Sequence, residues 1–179
     1  MASAALPCLE AMYRDIARML GDQETEDIAL VVQGHRLMVH SFLLCARLGD
    51  TEDGGELFLH RSPVFRSMLT VDMEEKRSRE VHMEEAEVEV VRQLVKYLYT
   101  ADISPGFVQL EELLVLANRC EGGLAAMETL PVPRYSVLPL VSLCSSLLAG
   151  SLSSGTALKL GVLGETHQAG ELLAASARY

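Results

Sequence analysis

Apolar residues near the start of the chain recur at spacings of three and four: Leu9, Met12, Tyr13, Ile16 and Leu20. That spacing puts them on one face of an α-helix, and Gly21 follows where a left-handed residue would end it. Such a face covers either its own core or a partner's, and the pattern alone leaves both open. Beyond the polar stretch "DQETE", the period changes. Ile28, Leu30 and Val32 alternate, Gly34 interrupts, and Leu37 and Val39 resume the period of two. This predicts a β-hairpin. His40 and Ser41 then open a helix through "FLLCAR", with Ser41 expected as its N-cap because a hydroxyl oxygen can accept from a first-turn N–H.

"LGDTEDGGELFLH" combines acids with a Gly-Gly pair and reads as a loop. Ser62 and Pro63 supply a cap and a first-position proline for the short helix "VFRSML". Met73-Glu74-Glu75 falls in the connection to "REVHM", a short strand with Val81 and Met83 on one side. Val88, Val91, Leu94, Val95 and Leu98 define another helical face, and Leu110, Leu113, Leu114 and Ala117 the next. "EGGLAAMETL" predicts a third helix, and "PVPRYSVLP", with three prolines, forbids a continuous one. Helical patterning then resumes in two or three short pieces. No internal repeat is present.

The 179 residues suffice for one packed domain with a small appendage, and 49% hydrophobic composition argues against disorder throughout. A formal charge of −10 argues against nucleic acid as the partner, since phosphate binding concentrates Lys and Arg. Cys8, Cys45, Cys120 and Cys144 form no CxxC pair and lie far apart, as reduced thiols do. The N-terminus has no basic start and is broken by Pro7, so a cytoplasmic or nuclear protein is expected rather than a secreted one. From Tyr135 to Leu158 the chain carries no charge. Pro139, two glycines and eight Ser or Thr residues favour buried helix plus loop over a membrane span.

The usual motif routes to catalysis are missing: no phosphate-binding loop with its Lys, no G-x-S-x-G, no HExxH and no GxGxxG. His35, His40, His60, His82 and His167 are scattered, and the acidic run "MEEAEVEV" reads as a solvated helix start that suits the helix dipole. No enzyme, cofactor or metal site is expected.

Several segments in order, "DIALVVQGHRLMVHSFLL", "RSPVFRSML", "DMEE", "VRQLVKYLYTADI" and "ELLVLANRC", resemble a BTB/POZ domain over residues 5–128. A proline-containing linker at 129–142 and a partial BACK or three-box-like helical extension at 143–179 follow. The resemblance implies an α+β fold, a small β-sheet flanked by a cluster of α-helices, which agrees with the hairpin and helices above. It also implies a homodimer through the N-terminal helix, assigning Leu9, Met12, Tyr13, Ile16 and Leu20 to a symmetric interface. Many BTB proteins are substrate adaptors of cullin-3 ubiquitin ligases, and the speckle-type subgroup contacts cullin through a hydrophobic-x-Glu motif after the short helix. Met73, Glu74 and Glu75 match that motif in place. A thioether can fill a partner pocket while Glu75 offers a charge-assisted acceptor beside it.

Two departures qualify the match. About fourteen residues, Arg47 to His60 or Leu48 to Arg61, interrupt a stretch that family members run without a break, as an added loop or a splice insertion would. Repressor-type BTB domains carry Arg or Lys after the His, forming with the preceding Asp a charged pocket linked to corepressor binding. Here Asp27 and His40 match, but Ser41 replaces the cation. A dimerising cullin-3 adaptor is therefore the leading expectation, and a corepressor-binding module the alternative. The 179 residues contain no kelch, MATH, ankyrin or RCC1-type repeats, so the substrate protein would be held by a region outside them.

Overall fold

The computed structural model describes residues 11, 14–45, 65, 68–69, 74–83, 86–118, 137–167 and 169–178. They form two compact units, one within Met1–Cys45 and Arg66–Gly106, the other within Ala46–Phe65 and Phe107–Tyr179.

The first unit is built on a three-stranded sheet. Strands β1 (Ile28–Val32) and β2 (His35–Val39) are antiparallel, with Ile28 opposite Val39 and Val32 opposite His35. The hairpin closes through Gln33 and Gly34, both at positive φ (48° and 81°). Two consecutive left-handed residues make the type I′ turn whose twist matches the flanking strands. The predicted hairpin is therefore present, but burial is not confined to one face. Ile28, Ala29, Leu30 and Val32 are all buried, so both faces of β1 are covered; β3 (Glu80–His82) adds parallel to β1 and makes it the central strand of the order β2-β1-β3. Each of the larger side chains contributes about 1.5–3 kcal/mol through burial.

Helix α1 (Ser41–Cys45) follows the hairpin and buries Leu43 and Leu44. Met68, in the segment expected as a capped helix, is helical and buried, as is Phe65, which falls in the second unit; the Ser62-Pro63 cap lies outside the described residues. Helix α2 (Glu74–Ser78) leads into β3, on which Val81 is buried, as is Met83 just beyond it. Helix α3 (Val88–Thr100) packs on β2 and α1, with Val91, Leu94, Val95 and Leu98 inward as their spacing predicts. It ends at Ala101, whose left-handed φ of 55° lets its N–H donate to the Tyr97 carbonyl at 2.8 Å. The N-terminal helical residues 14–18 run into turns that pass through Gly21, φ 87°.

The second unit contains α4 (Leu110–Asn118), α5 (Leu138–Gly150), α6 (Ala157–Thr166) and α7 (Gly170–Ser176). α4 packs on α5, and α7 packs on both α5 and α6. Leu140, Cys144 and Leu148, four apart, make the buried stripe of α5. The uncharged stretch thus becomes a helix and a turn, and among the described residues no helix is long and apolar enough to cross a membrane. The insert at 47–61 and the predicted helix "EGGLAAMETL" lie outside the described residues, as does the linker up to residue 136.

Candidate functional site

Glu74 and Glu75 open α2, and Glu75 is half-buried. Met73, the hydrophobic first residue of the motif, lies outside the described residues. The helix is too short to persist on its own, since about three residues must be fixed before the first hydrogen bond forms. Its exit is defined by Arg79 at φ 59°. The Arg79 N–H donates to the Glu75 carbonyl at 3.0 Å, and the Arg79 carbonyl accepts the Ala29 N–H of β1 at 3.0 Å. One residue therefore ends the helix and joins the sheet.

The Arg79 side chain makes a third link, from Nη1 to Asp27 Oδ2 at 3.0 Å. Asp27 also accepts the Ser41 N–H at 2.7 Å and the Ser41 hydroxyl at 2.6 Å. This corrects the expected role of Ser41. It stands inside α1, its hydroxyl donates outward, and the first-turn N–H is satisfied by Asp27 from the other side of the hairpin. Burial would raise the Asp27 pKa. The Ser41 hydroxyl and N–H, with the charge of Arg79 and His40, outweigh that and hold it below its usual 3.8.

His40 does not share this cluster through any hydrogen bond among the described residues. It is buried, 2% exposed, and turned the other way. Its Nδ1 lies 2.6 Å from the Tyr99 hydroxyl, its main-chain N–H donates to the same oxygen at 3.0 Å, and its Nε2 lies 2.8 Å from Thr25 Oγ1. Thr25 Oγ1 in turn donates to Asp22 Oδ2 at 2.8 Å. With that proton committed, Thr25 accepts from Nε2–H. Asp27 and His40 thus flank Ser41 with separate hydrogen-bond partners.

Of the five N-terminal apolar residues, Ile16 is half-buried and Leu20 is 41% exposed. Leu9, Met12 and Tyr13 lie outside the described residues. Leu20 lines a groove with Met38, Val39 and Val95, joined by Arg36 and Arg92. Among the described residues, no group of three or more His, Cys, Asp or Glu side chains is arranged to hold a metal ion.

Residues 57–121 match the BTB/POZ domain family. The fold is similar to the BTB domain of human gigaxonin, with a TM-score of 0.53 at 16% identity, covering 77% of this chain and 91% of that one. The BTB domain of zebrafish PATZ1 gives 0.50 at 15% identity, covering 78% and 90%. The chain carries a BTB/POZ domain. Its curated relatives include human and chicken Kelch-like protein 7, each 28% identical over 148 residues that make up 83% of this chain. The match spans only 20% of those relatives' length.

A BTB domain is a protein–protein interaction module, and the family match includes Met73, Glu74 and Glu75. Sequence reasoning missed Arg79, Tyr99 and Thr25 as organisers of this BTB domain. Tyr99 carries a weak signal, since a polar tip on a buried helical face calls for a partner. Arg79 carries none, because left-handed helix ends ordinarily select Gly or Asn.

Proposed function

We propose that this BTB domain is a dimerising adaptor that recruits cullin-3 through Met73, Glu74 and Glu75 and brings a substrate protein to the ligase, with no catalysis of its own. The observation that supports this most directly is the half-buried Glu75 at the start of α2, at the family's hydrophobic-x-Glu position. Similarity to kelch-like relatives agrees with that role. The domain divides as 5–128 for the BTB module, 129–142 for the linker and 143–179 for a BACK-like extension; the protein works in the cytoplasm or nucleus. Leu9, Met12, Tyr13, Ile16 and Leu20 form the dimer interface, for which the exposure of Leu20 speaks. The corepressor-binding alternative is not favoured. Asp27, the charge such a pocket would present, already serves Ser41 and Arg79 within the chain.

The test is titration of the purified cullin-3 N-terminal region against the wild-type chain and a Met73→Asp, Glu75→Lys variant, with light scattering on the same samples. Reversing a charge and removing an apolar anchor at an interface costs at least about 2 kcal/mol, roughly thirtyfold in Kd. Equal binding by the variant removes these residues from the contact, and a wild type that does not bind rejects the adaptor reading. A wild-type monomer at micromolar concentration rejects the interface assigned to the N-terminal helix.

A further inference from the structure

Arg79 occupies a backbone conformation that suits glycine, yet it is an arginine. A non-glycine residue at φ 59° costs about 1 kcal/mol relative to a right-handed one. Strain of this kind persists where the surrounding structure over-determines it, and here the determinants are visible. The Arg79 N–H is held by Glu75, its carbonyl by Ala29, and its guanidinium by Asp27. Asp27 passes the connection to Ser41 at the first turn of α1. Three elements distant in sequence therefore meet at one charge pair: the end of α2, the entry to β1 and the start of α1. The cation that repressor-type domains carry after the His is absent at Ser41, and Arg79 supplies one to the same aspartate from another direction.

We infer that Arg79, clasped to Asp27, is a positioning residue for the partner-contact helix, holding α2 and Glu75 in a fixed relation to β1 and α1. The inference rests on the reading of Glu74 and Glu75 as cullin-3 contacts, because neither Arg79 nor Asp27 is itself a contact residue in that reading. Without the clasp, α2 stays in the chain but samples more orientations, and a partner must select the competent one. Affinity falls by the fraction of the time that orientation is populated.

Arg79→Gly separates this role from backbone strain, because glycine accepts the left-handed φ while the side-chain link is lost. Amide hydrogen exchange across residues 74–79 is measured for the wild type, Arg79→Gly, Arg79→Lys and Asp27→Asn, alongside titration with the cullin-3 N-terminal region. The expected result is faster exchange across 74–79 in Arg79→Gly and Asp27→Asn, cullin-3 affinity weakened about three- to fivefold as for a partly exposed charge pair, and partial recovery in Arg79→Lys. Combining Arg79→Gly with Asp27→Asn adds little to either alone, since both break one link. Unchanged exchange across 74–79 in Arg79→Gly overturns the inference whether or not cullin-3 binds. A lowered melting temperature with unchanged affinity in the cold also overturns it, by making the clasp a stability element only. A wild type that fails to bind, with exchange still faster in Arg79→Gly, overturns the cullin-3 reading and leaves the clasp supported.

Discussion

In the sheet-bearing unit, residues far apart in the chain meet through polar atoms: His40 with Tyr99, Arg79 with Asp27, Thr25 with His40. In the helical unit, the corresponding long-range approach is made by the lack of a side chain. Gly164 of α6 lies so close to α7 that a Cβ there would sit 2.9 Å from the Leu173 nitrogen, and one at Gly161 would sit 2.9 Å from Ser176 Oγ. Polar links exist there too, with Asn118 Nδ2 donating to the His167 carbonyl at 2.7 Å and Lys159 Nζ to Glu111 at 2.6 Å. They sit at the ends and outer faces of helices, however, whereas Tyr99 and His40 sit inside. The contrast is between a unit whose distant segments are tied by side-chain hydrogen bonds, the His40–Tyr99 pair buried among them, and one whose helices are set by close packing. Each is vulnerable to a different single atom.

The largest effect is expected from Tyr99→Phe. The ring shape is kept and one oxygen is lost, but that oxygen serves both Nδ1 and the main-chain N–H of His40 in a site almost closed to water. Leaving buried polar groups without their partner costs about 1–3 kcal/mol, so urea denaturation should show Tyr99→Phe destabilised by about 2–3 kcal/mol. A loss under about 0.5 kcal/mol, the range of ordinary surface changes, would mean that water replaces the hydroxyl and that this unit does not depend on the bond.

In the helical unit the comparable change adds an atom. Gly164→Ala places a methyl against the main chain of Leu173, with Leu173 Cα at 3.3 Å and the Ala169 carbonyl at 3.4 Å, so α6 and α7 must separate. Overpacking costs about 1–3 kcal/mol, partly offset by about 1 kcal/mol of helix propensity gained by alanine over glycine. Because the methyl meets main-chain atoms that cannot rotate aside, the upper half of that range applies, leaving a net loss of about 1–2 kcal/mol. Gly161→Ala is the control. Its methyl meets Ser176 Oγ, which can rotate away by giving up an exposed hydrogen bond to the Leu173 carbonyl, and Ser176 Cβ at 3.3 Å, which must yield by a few tenths of an ångström, so thermal melts should place it close to the wild type. Equal losses in the two variants would show that close approach at Gly164 does not set the packing.

The same contrast explains what could be read along the chain. The hairpin, the α3 face and the α4 face were legible because one-sided burial leaves a period of two or 3.6 in the sequence. Full burial of β1 was not, because nothing local in the chain says that both faces of a strand will be covered. Ala29, on the opposite face, is as enclosed as Leu30. The clasp was half legible. Asp27 and His40 stood out, but their partners depend on which elements fold together, and 52 residues separate Arg79 from Asp27. Ser41 was misassigned for the same reason: a local cap is the economical reading of a hydroxyl at a helix start, and a carboxylate arriving across the hairpin overrides it. Gly164 carried no signal, since a glycine within a helical pattern does not say what lies against it.

The smallest effect tests how the polar unit responds to acid. The folded-state pKa of Asp27 lies below its usual 3.8, so ionised Asp27 contributes stability that is fully present above the unfolded value and is lost as pH falls through the folded one. The Asp27 side chain is 42% exposed, and solvent screening keeps the contribution to about 0.5–1 kcal/mol or less. Asp27→Asn retains a carbonyl acceptor for Ser41 and gives up the charge that Arg79 faces. It should therefore be modestly less stable than the wild type at pH 7, with the difference shrinking as pH falls below about 4 and vanishing once the wild-type carboxylate is protonated. Urea midpoints of both proteins from pH 7 to pH 3 give the comparison directly. A difference that is constant across that range, or that grows on acidification, would mean that the Asp27 charge does not stabilise the fold. The link among β1, α1 and Arg79 would then rest on the neutral hydrogen bonds to Ser41 alone.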